Sequence, residues 1–280
     1  FQWGPVDERV FVTSEDELVK RFQKPSNTNF ETFFTAANFL SYGSALFVVR
    51  TAMVTGNNAS QLAAINACSD ANTGLLIKNA DDFYNNKDGT MSGTAFVGRF
   101  PGALGNSLKI SVCDSANAFS STLNGSTAVS GLSTGYNTQV AAGDLLRFAN
   151  NRIIGRVSSV TNSTSLTLTT AYSGISDNQG SATREWRFKT SVAKAPGTSA
   201  QATALGGALD EIHVVVYDED GQFTGTKDQI LEIYANASKA RDAKDAQGDT
   251  NFYKDLISQR SQYVWSTGFK NTSDGRTVTN

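Results

Sequence analysis

The sequence predicts an α+β protein: a mixed β-sheet core domain flanked by helices, with a β-rich, barrel- or sandwich-like subdomain inserted into it. Three observations carry this expectation. Segments of helical and of strand period alternate near both ends of the 280-residue chain. Residues 212–217, Ile-His-Val-Val-Val-Tyr, form an apolar run of the kind that fills a central strand covered on both faces. After Ser115 the composition shifts to Ser, Thr, Gly and Asn, and short alternating segments follow at turn-length spacing. The core is therefore placed at residues 1–116 and 208–280, and the insert at residues 117–207.

The elements of the core follow in order. Val10, Phe11 and Val12 make a short apolar run. Thr13 or Ser14 then caps a helix whose first turn holds Glu15, Asp16 and Glu17, where the helix dipole favours acids. Leu18, Val19 and Phe22 supply its apolar face, and Pro25 ends it. Phe30, Phe33, Phe34, Ala37 and Leu40 recur at helical spacing over residues 30–42, and Gly43 stops that helix. Leu46, Phe47, Val48 and Val49 read as a strand buried on both faces. Residues 62–68 are expected to be a short helix and residues 85–89, Asn-Asn-Lys-Asp-Gly, a turn.

Residues 96–112 combine a glycine turn and a strand. Pro101 presets the turn, and Gly102 and Gly105 permit backbone angles that a side chain forbids. After Asn106 the residues alternate, with Leu108, Ile110 and Val112 on one face and Lys109, Ser111 and Cys113 on the other. Pro101, Gly102, Gly105 and Asn106 are the residues expected to shape the core, a structural role.

Within the insert, residues 144–148 and 152–160 read as a hairpin joined at Asn150-Asn151. Residues 165–170 follow as a third strand and residues 185–192 as a fourth, with Trp186 and Phe188 facing one way. Residues 193–207 are rich in Ala, Gly, Ser and Thr and read as a flexible exit. Beyond the 212–217 strand, Asp218-Glu219-Asp220-Gly221 is a solvated turn. Residues 229–234 fit both strand and helix periods, and the strand is preferred. Asp249 or Thr250 caps a helix through residue 259, and Tyr263, Val264 and Trp265 form a last strand.

Charge and composition exclude several classes of function. There are 24 basic and 26 acidic residues, a net charge of -2, so no basic excess points to nucleic acid. No run is apolar enough to cross a bilayer, and no secretory leader is read. The start at Phe1 suggests a fragment of a longer chain. Cys68 and Cys113 lie far apart in sequence and read as two buried thiols, with a disulfide between them as the alternative.

No catalytic set is found. The single histidine, His213, sits inside the apolar run and reads as a buried structural imidazole. Three Cys and His residues, widely spread, do not make a zinc site. Asp218, Asp220 and Gly221 match only part of a calcium loop, and the distal Glu is missing. Gly221 to Lys227 lacks the Gly-Lys-Ser/Thr of a phosphate loop. No enzyme activity, cofactor or metal is expected.

Several blocks together resemble the contractile phage tail sheath proteins, most nearly those of T4-like myophages. They are Phe1-Gln2-Trp3-Gly4-Pro5-Val6 with Val10-Phe11-Val12-Thr13-Ser14, Phe22-Gln23-Lys24-Pro25, and the stretch from Ala36 to Arg50. The fourth is Phe100-Pro101-Gly102-Ala103-Leu104-Gly105-Asn106, which resembles the family's aromatic-Pro-Gly-x-x-Gly-Asn pattern. His213 to Tyr217 and Ser261 to Trp265 complete the order. The resemblance leaves out the insert. It implies an N-terminal arm ahead of Gly4-Pro5 and a large C-terminal domain beyond Trp265, neither present in this sequence. It further implies a structural subunit that polymerises as helical rings around a tail tube and rearranges on contraction to drive genome delivery. The implied partners are other copies of the same subunit, the tail tube protein, and the baseplate and tail terminator proteins, with no direct nucleic-acid binding and no membrane insertion. The implied location is the virion tail, and the host cytoplasm during assembly. The insert is expected at the tube's outer surface, as decoration or as a glycan contact. A reading from another class is a β-rich adhesin or carbohydrate-binding module, which the Asn- and Thr-rich middle allows.

Overall fold

Ser14 opens the first helix as its sequence requires. Its hydroxyl accepts the backbone N–H of Glu17 at 3.2 Å, and the Glu17 carboxylate returns to the N–H and hydroxyl of Thr13 at 3.0 and 2.9 Å. The helix α1 runs Glu15–Phe22 and buries Leu18 and Phe22. It stops at Phe22, three residues ahead of Pro25, because Gln23 takes a left-handed φ of 66°. The second helix, α2, runs Phe30–Tyr42 from an Asn29 cap to Gly43 and buries Phe33 and Ala37.

The computed structural model describes residues 1–51, 76–88, 95–122, 140–148, 151–172 and 182–267. The helix expected at 62–68, Cys68, Gly89, Asn150 and the tail from 269 lie outside these residues. Helices and antiparallel sheets together make an α+β protein. The chain divides into two compact units.

Of the described residues, the first unit holds Phe1–Ser111, Val215–Ile233 and 254–267. In it β1 (Arg9–Val12) pairs antiparallel with β2 (Leu46–Val49), register Phe11 to Phe47 and Val10 to Val48. Val10, Val12 and Val48 pack with Leu18, Phe22, Phe33 and Ala37. The opposite face is open: Phe11, Phe47 and Val49 are each about half exposed. The expectation that 46–49 is buried on both faces is therefore corrected. With one partner strand and helices on one side only, the other face keeps its apolar residues in water. A second small sheet pairs β3 (Phe96–Gly98) with β12 (Val264–Ser266). It packs beside Phe83, whose ring stacks on Trp265 at 4.4 Å and 9°. Phe83 begins a π-helical turn, Phe83–Lys87, closed by the Asp88 N–H on the Phe83 carbonyl. The turn expected at residues 85–89 thus takes π-helical form over Asn85, Asn86 and Lys87.

The second unit holds Val112–Val214 and Tyr234–Tyr253. Its main sheet has five strands in the order β5-β9-β6-β7-β8, with β5 Ser120–Thr122, β6 Leu145–Arg147, β7 Ile153–Val160, β8 Leu166–Leu168 and β9 Thr183–Glu185. Leu146, Phe148, Ile154 and Val157 centre its core. Asn151, at φ 65°, supplies the left-handed position between β6 and β7. The strand expected at 185–192 ends at Glu185. Carbonyls of Trp186 and Phe188 accept the N–H groups of Lys189 and Ser191, which coils the chain into a short 3-10 turn. Trp186 and Phe188 are both buried, so an i, i+2 apolar pair imitates a strand while belonging to a turn. The expected flexible exit is ordered too: Ser199 caps a helical turn, Ala200–Ala204, by accepting the Ala202 N–H.

The remaining sheet has the order β11-β10-β4, with β4 Leu108–Cys113, β10 Glu211–Asp218 and β11 Gln229–Ser238. All eight residues of the central β10 are buried. Residues 229–234 resolve as strand. The last helix is Tyr253–Arg260, three residues later than its predicted cap, because Thr250 and Phe252 bridge to Lys244 and Ser238 in extended form. Among the described residues no helix is long and apolar enough to cross a membrane.

Candidate functional site

Arg50 directly follows β2, where Val6 bridges to it and the Asp7 N–H bonds its carbonyl at 2.9 Å. Its guanidinium donates to four carbonyls: Nε to Phe1 at 3.0 Å, Nη1 to Gly4 at 2.9 Å, and Nη2 to Gln2 at 3.2 Å and Pro101 at 2.6 Å. Loss of water pulls its pKa down to about 10, which still leaves it charged at neutral pH. Four carbonyl dipoles thus take the place of bulk solvent around one cation.

The Pro-Gly turn is built for this contact. Gly102 has φ 140°, and a Cβ there would meet the Gln2 carbonyl oxygen at 2.8 Å and Arg50 Nη2 at 3.2 Å. Only glycine lets the N-terminal segment and the guanidinium come this close. Gly105 is buried within the 3-10 turn Ala103–Ser107 and donates to the Gly102 carbonyl at 3.2 Å. Pro101, Gly102 and Gly105 therefore share one site. Asn106 is exposed on the same turn.

The next residue, Ser107, was not singled out by its sequence. Its hydroxyl donates to Asp218 Oδ1 at 2.5 Å and accepts the Asp220 N–H at 3.1 Å. Asp218 Oδ2 accepts the N–H groups of Phe223 and Thr224 at 2.9 and 2.8 Å and the Thr224 hydroxyl at 2.9 Å. Lys109 pairs with Glu219 beside it. The turn expected to be solvated is thus anchored by a fully buried carboxylate. Its lone pairs are taken by Ser107 and by donors of its own loop, and no cluster of three metal-binding groups occurs among the described residues.

In the second unit Glu211 accepts the Gly197 N–H at 3.0 Å and meets Lys194 Nζ at 3.3 Å. His213 is fully buried, its ring stacked at 6.0 Å on Trp186. Nδ1 accepts the Asn236 N–H at 3.0 Å and Nε2 lies 2.8 Å from the Lys194 carbonyl. Burial lowers its pKa from the ordinary value, against the opposing pull of the Lys194 carbonyl and Glu211. With both nitrogens held by backbone groups, the imidazole fastens chain segments together. Arg184 is equally buried: Nε donates to Asp144 Oδ2 at 2.7 Å, and Nη1 to the carbonyls of Asn117, at 3.1 Å, and Ala118.

A cavity of about 660 Å³ in the first unit is lined by Trp3, Glu17, Lys20, Arg99, Phe100 and Arg260, acids and bases together. Arg99 is already engaged, with its guanidinium 3.7 Å over the Trp265 ring and Nη1 on the Ser258 and Ser261 carbonyls.

The missed residues had a signal. Arg50 closes the apolar run 46–49 and Asp218 closes the run 212–217, and a charge at the end of a buried strand needs a partner.

These buried charges tie distant backbone segments together. The chain is similar to the tail sheath protein of Salmonella phage ViI, 42% identical over 120 residues, which is 41% of this chain and 17% of that protein. It is similar to the tail sheath protein of Vibrio phage KVP40, 43% identical over 63 residues, 22% of this chain and 9% of the relative. The tail sheath protein of Enterobacteria phage T4 is 42% identical over 64 residues, 22% of this chain and 10% of the relative. The matched stretches thus span about a sixth or less of these curated relatives. No protein-family model matches the chain. The resemblance to phage tail sheath proteins, a structural class of the virion, is borne out.

Proposed function

We propose that this chain is part of the subunit of a contractile tail sheath. Copies assemble as helical rings around the tail tube, and contraction is a rigid-body change between two packings that drives genome delivery. The observation that supports this reading best is the 42% identity to a tail sheath protein over 120 residues. The extended form is metastable, and the work of contraction comes from the difference between packings, summed over subunits, with no catalysed reaction. Its partners are copies of itself, the tail tube, the baseplate and the tail terminator, in the host cytoplasm during assembly and in the virion afterwards. The open face of β1 and β2, with Phe11, Phe47 and Val49, is the kind of apolar surface that a neighbouring subunit covers. Residues 117–207 form the surface insert in this reading, since positions that tolerate insertion lie outside a packed lattice.

The test is negative-stain electron microscopy of the purified full-length protein, alone and with tail tubes. Striated tubes are the expected result. Particles that stay monomeric at high concentration even with tail tubes present would overturn the reading. Consumption of labelled ATP during contraction would overturn the packing-driven mechanism.

A further inference from the structure

Asn236 lies inside β11 yet has φ 55°, the left-handed region that a non-glycine residue seldom enters. A residue in that conformation turns its N–H out of the regular ladder, and this partly buried N–H needs an acceptor. The acceptor here is His213 Nδ1 at 3.0 Å. An amide N–H can only donate, so Nδ1 carries no proton. The ring proton is on Nε2, which donates to the Lys194 carbonyl at 2.8 Å. The Asn236 carbonyl is fixed in turn by the Asn251 side-chain amide at 3.0 Å.

We propose that His213 is an acid-sensitive latch on the left-handed residue of β11: a second proton on the imidazole places an N–H at Nδ1 against the Asn236 N–H and releases that turn. The two donors cannot share a bond, and β10 leaves no solvent beside the ring, which is fully buried. The charged groups acting on the ring are Glu211 on its own strand and Lys194 on the preceding connection, with opposite effects. From the other sides it faces the Trp186 indole and the Asn236 backbone, which do not titrate in this range.

The sign follows from linkage. The folded-state value lies below the ordinary 6.5, so the folded form binds fewer protons than the unfolded form. The latch is complete above pH 6.5 and weakens as pH falls below it. One proton changes the ratio of closed to open forms by up to about tenfold per pH unit until the folded-state value is reached.

The chain has one histidine, so every imidazole signal belongs to this site. The purified protein labelled with ¹⁵N-histidine is titrated from pH 8 to pH 4 by long-range ¹H–¹⁵N correlation, and Asn236 amide exchange is followed in parallel. The expected result is the Nε2–H tautomer at pH 8, a ring less than half protonated at pH 6.5, and a loss of Asn236 protection that tracks ring protonation. In His213→Asn, whose Oδ1 keeps an acceptor near the Nδ1 position, Asn236 protection should not change with pH beyond the intrinsic exchange rate. An Nδ1–H tautomer at pH 8 would overturn the proposal, as would Asn236 protection unchanged after the ring has charged. Both readings come from the unaltered protein, so the outcome does not depend on the variant folding.

Discussion

Arg50 in the first unit and Arg184 in the second are both buried, and they are neutralised by different means. Arg184 meets a carboxylate, Asp144, and adds two carbonyls. Arg50 makes its four bonds to carbonyls of Phe1, Gln2, Gly4 and Pro101. The difference lies in what each would leave behind. Removing Arg184 strands a charge in the interior; removing Arg50 strands dipoles, two of them at the buried Gly4 and Pro101 bonds. An interior charge is the costlier orphan.

The comparison is broken or sharpened by six variants. Arg184→Met should cost about 3–5 kcal/mol, read as a lower denaturant midpoint, because Asp144 stays buried without its cation. The double variant Asp144→Leu/Arg184→Met should recover most of that loss, since replacing both partners of a buried pair is often near neutral. A double variant as unstable as the single would show that Arg184 acts mainly through the Asn117 and Ala118 carbonyls, which would make the two arginines alike. Arg50→Met should cost about 2–4 kcal/mol in the same measurement, from two buried carbonyls left without donors. Arg50→Lys should restore only part, because an ammonium has three donors on one nitrogen and cannot span four carbonyls. Gly102→Ala should cost about 1–3 kcal/mol from its positive φ and its contact with Gln2. Phe47→Ser, on the open face of β2, should shift stability by less than about 0.5 kcal/mol in thermal melts. A large loss there would show that this face is packed in the isolated protein.

Most of the core was legible before the structure because its signals are local. Ser14 with Glu17, the period of residues 30–42 and the apolar run at 212–217 each carry their own evidence. The misreadings occur where tertiary context overrides a local pattern. Residues 46–49 resemble a buried strand, yet a two-stranded sheet has one covered face. Trp186 and Phe188 alternate like strand residues, yet both are buried from a turn. The site was legible in part. Pro101, Gly102 and Gly105 announce a turn, but the need for glycine at 102 is set by Gln2 and Arg50, which are remote in sequence. Asp218 looked like a solvated turn residue because nothing local reveals Ser107, which lies 111 positions away.

The tie at Arg50 also carries a consequence for the order of folding. Its bonds to Gly4 and Pro101 join residues 46 and 51 positions apart. Closing a flexible loop of that length costs about 3.5 kcal/mol in chain entropy; the β1–β2 pairing, with Arg9 opposite Val49, closes the first loop, and the bond to Pro101 closes the second. Contacts that need both closures form after the local helices α1 and α2 and after the β1–β2 pairing. A late-forming contact changes the rate of unfolding more than the rate of folding. Arg50 is therefore a brake on disassembly of the first unit, holding it together once folded while doing little to hasten its formation.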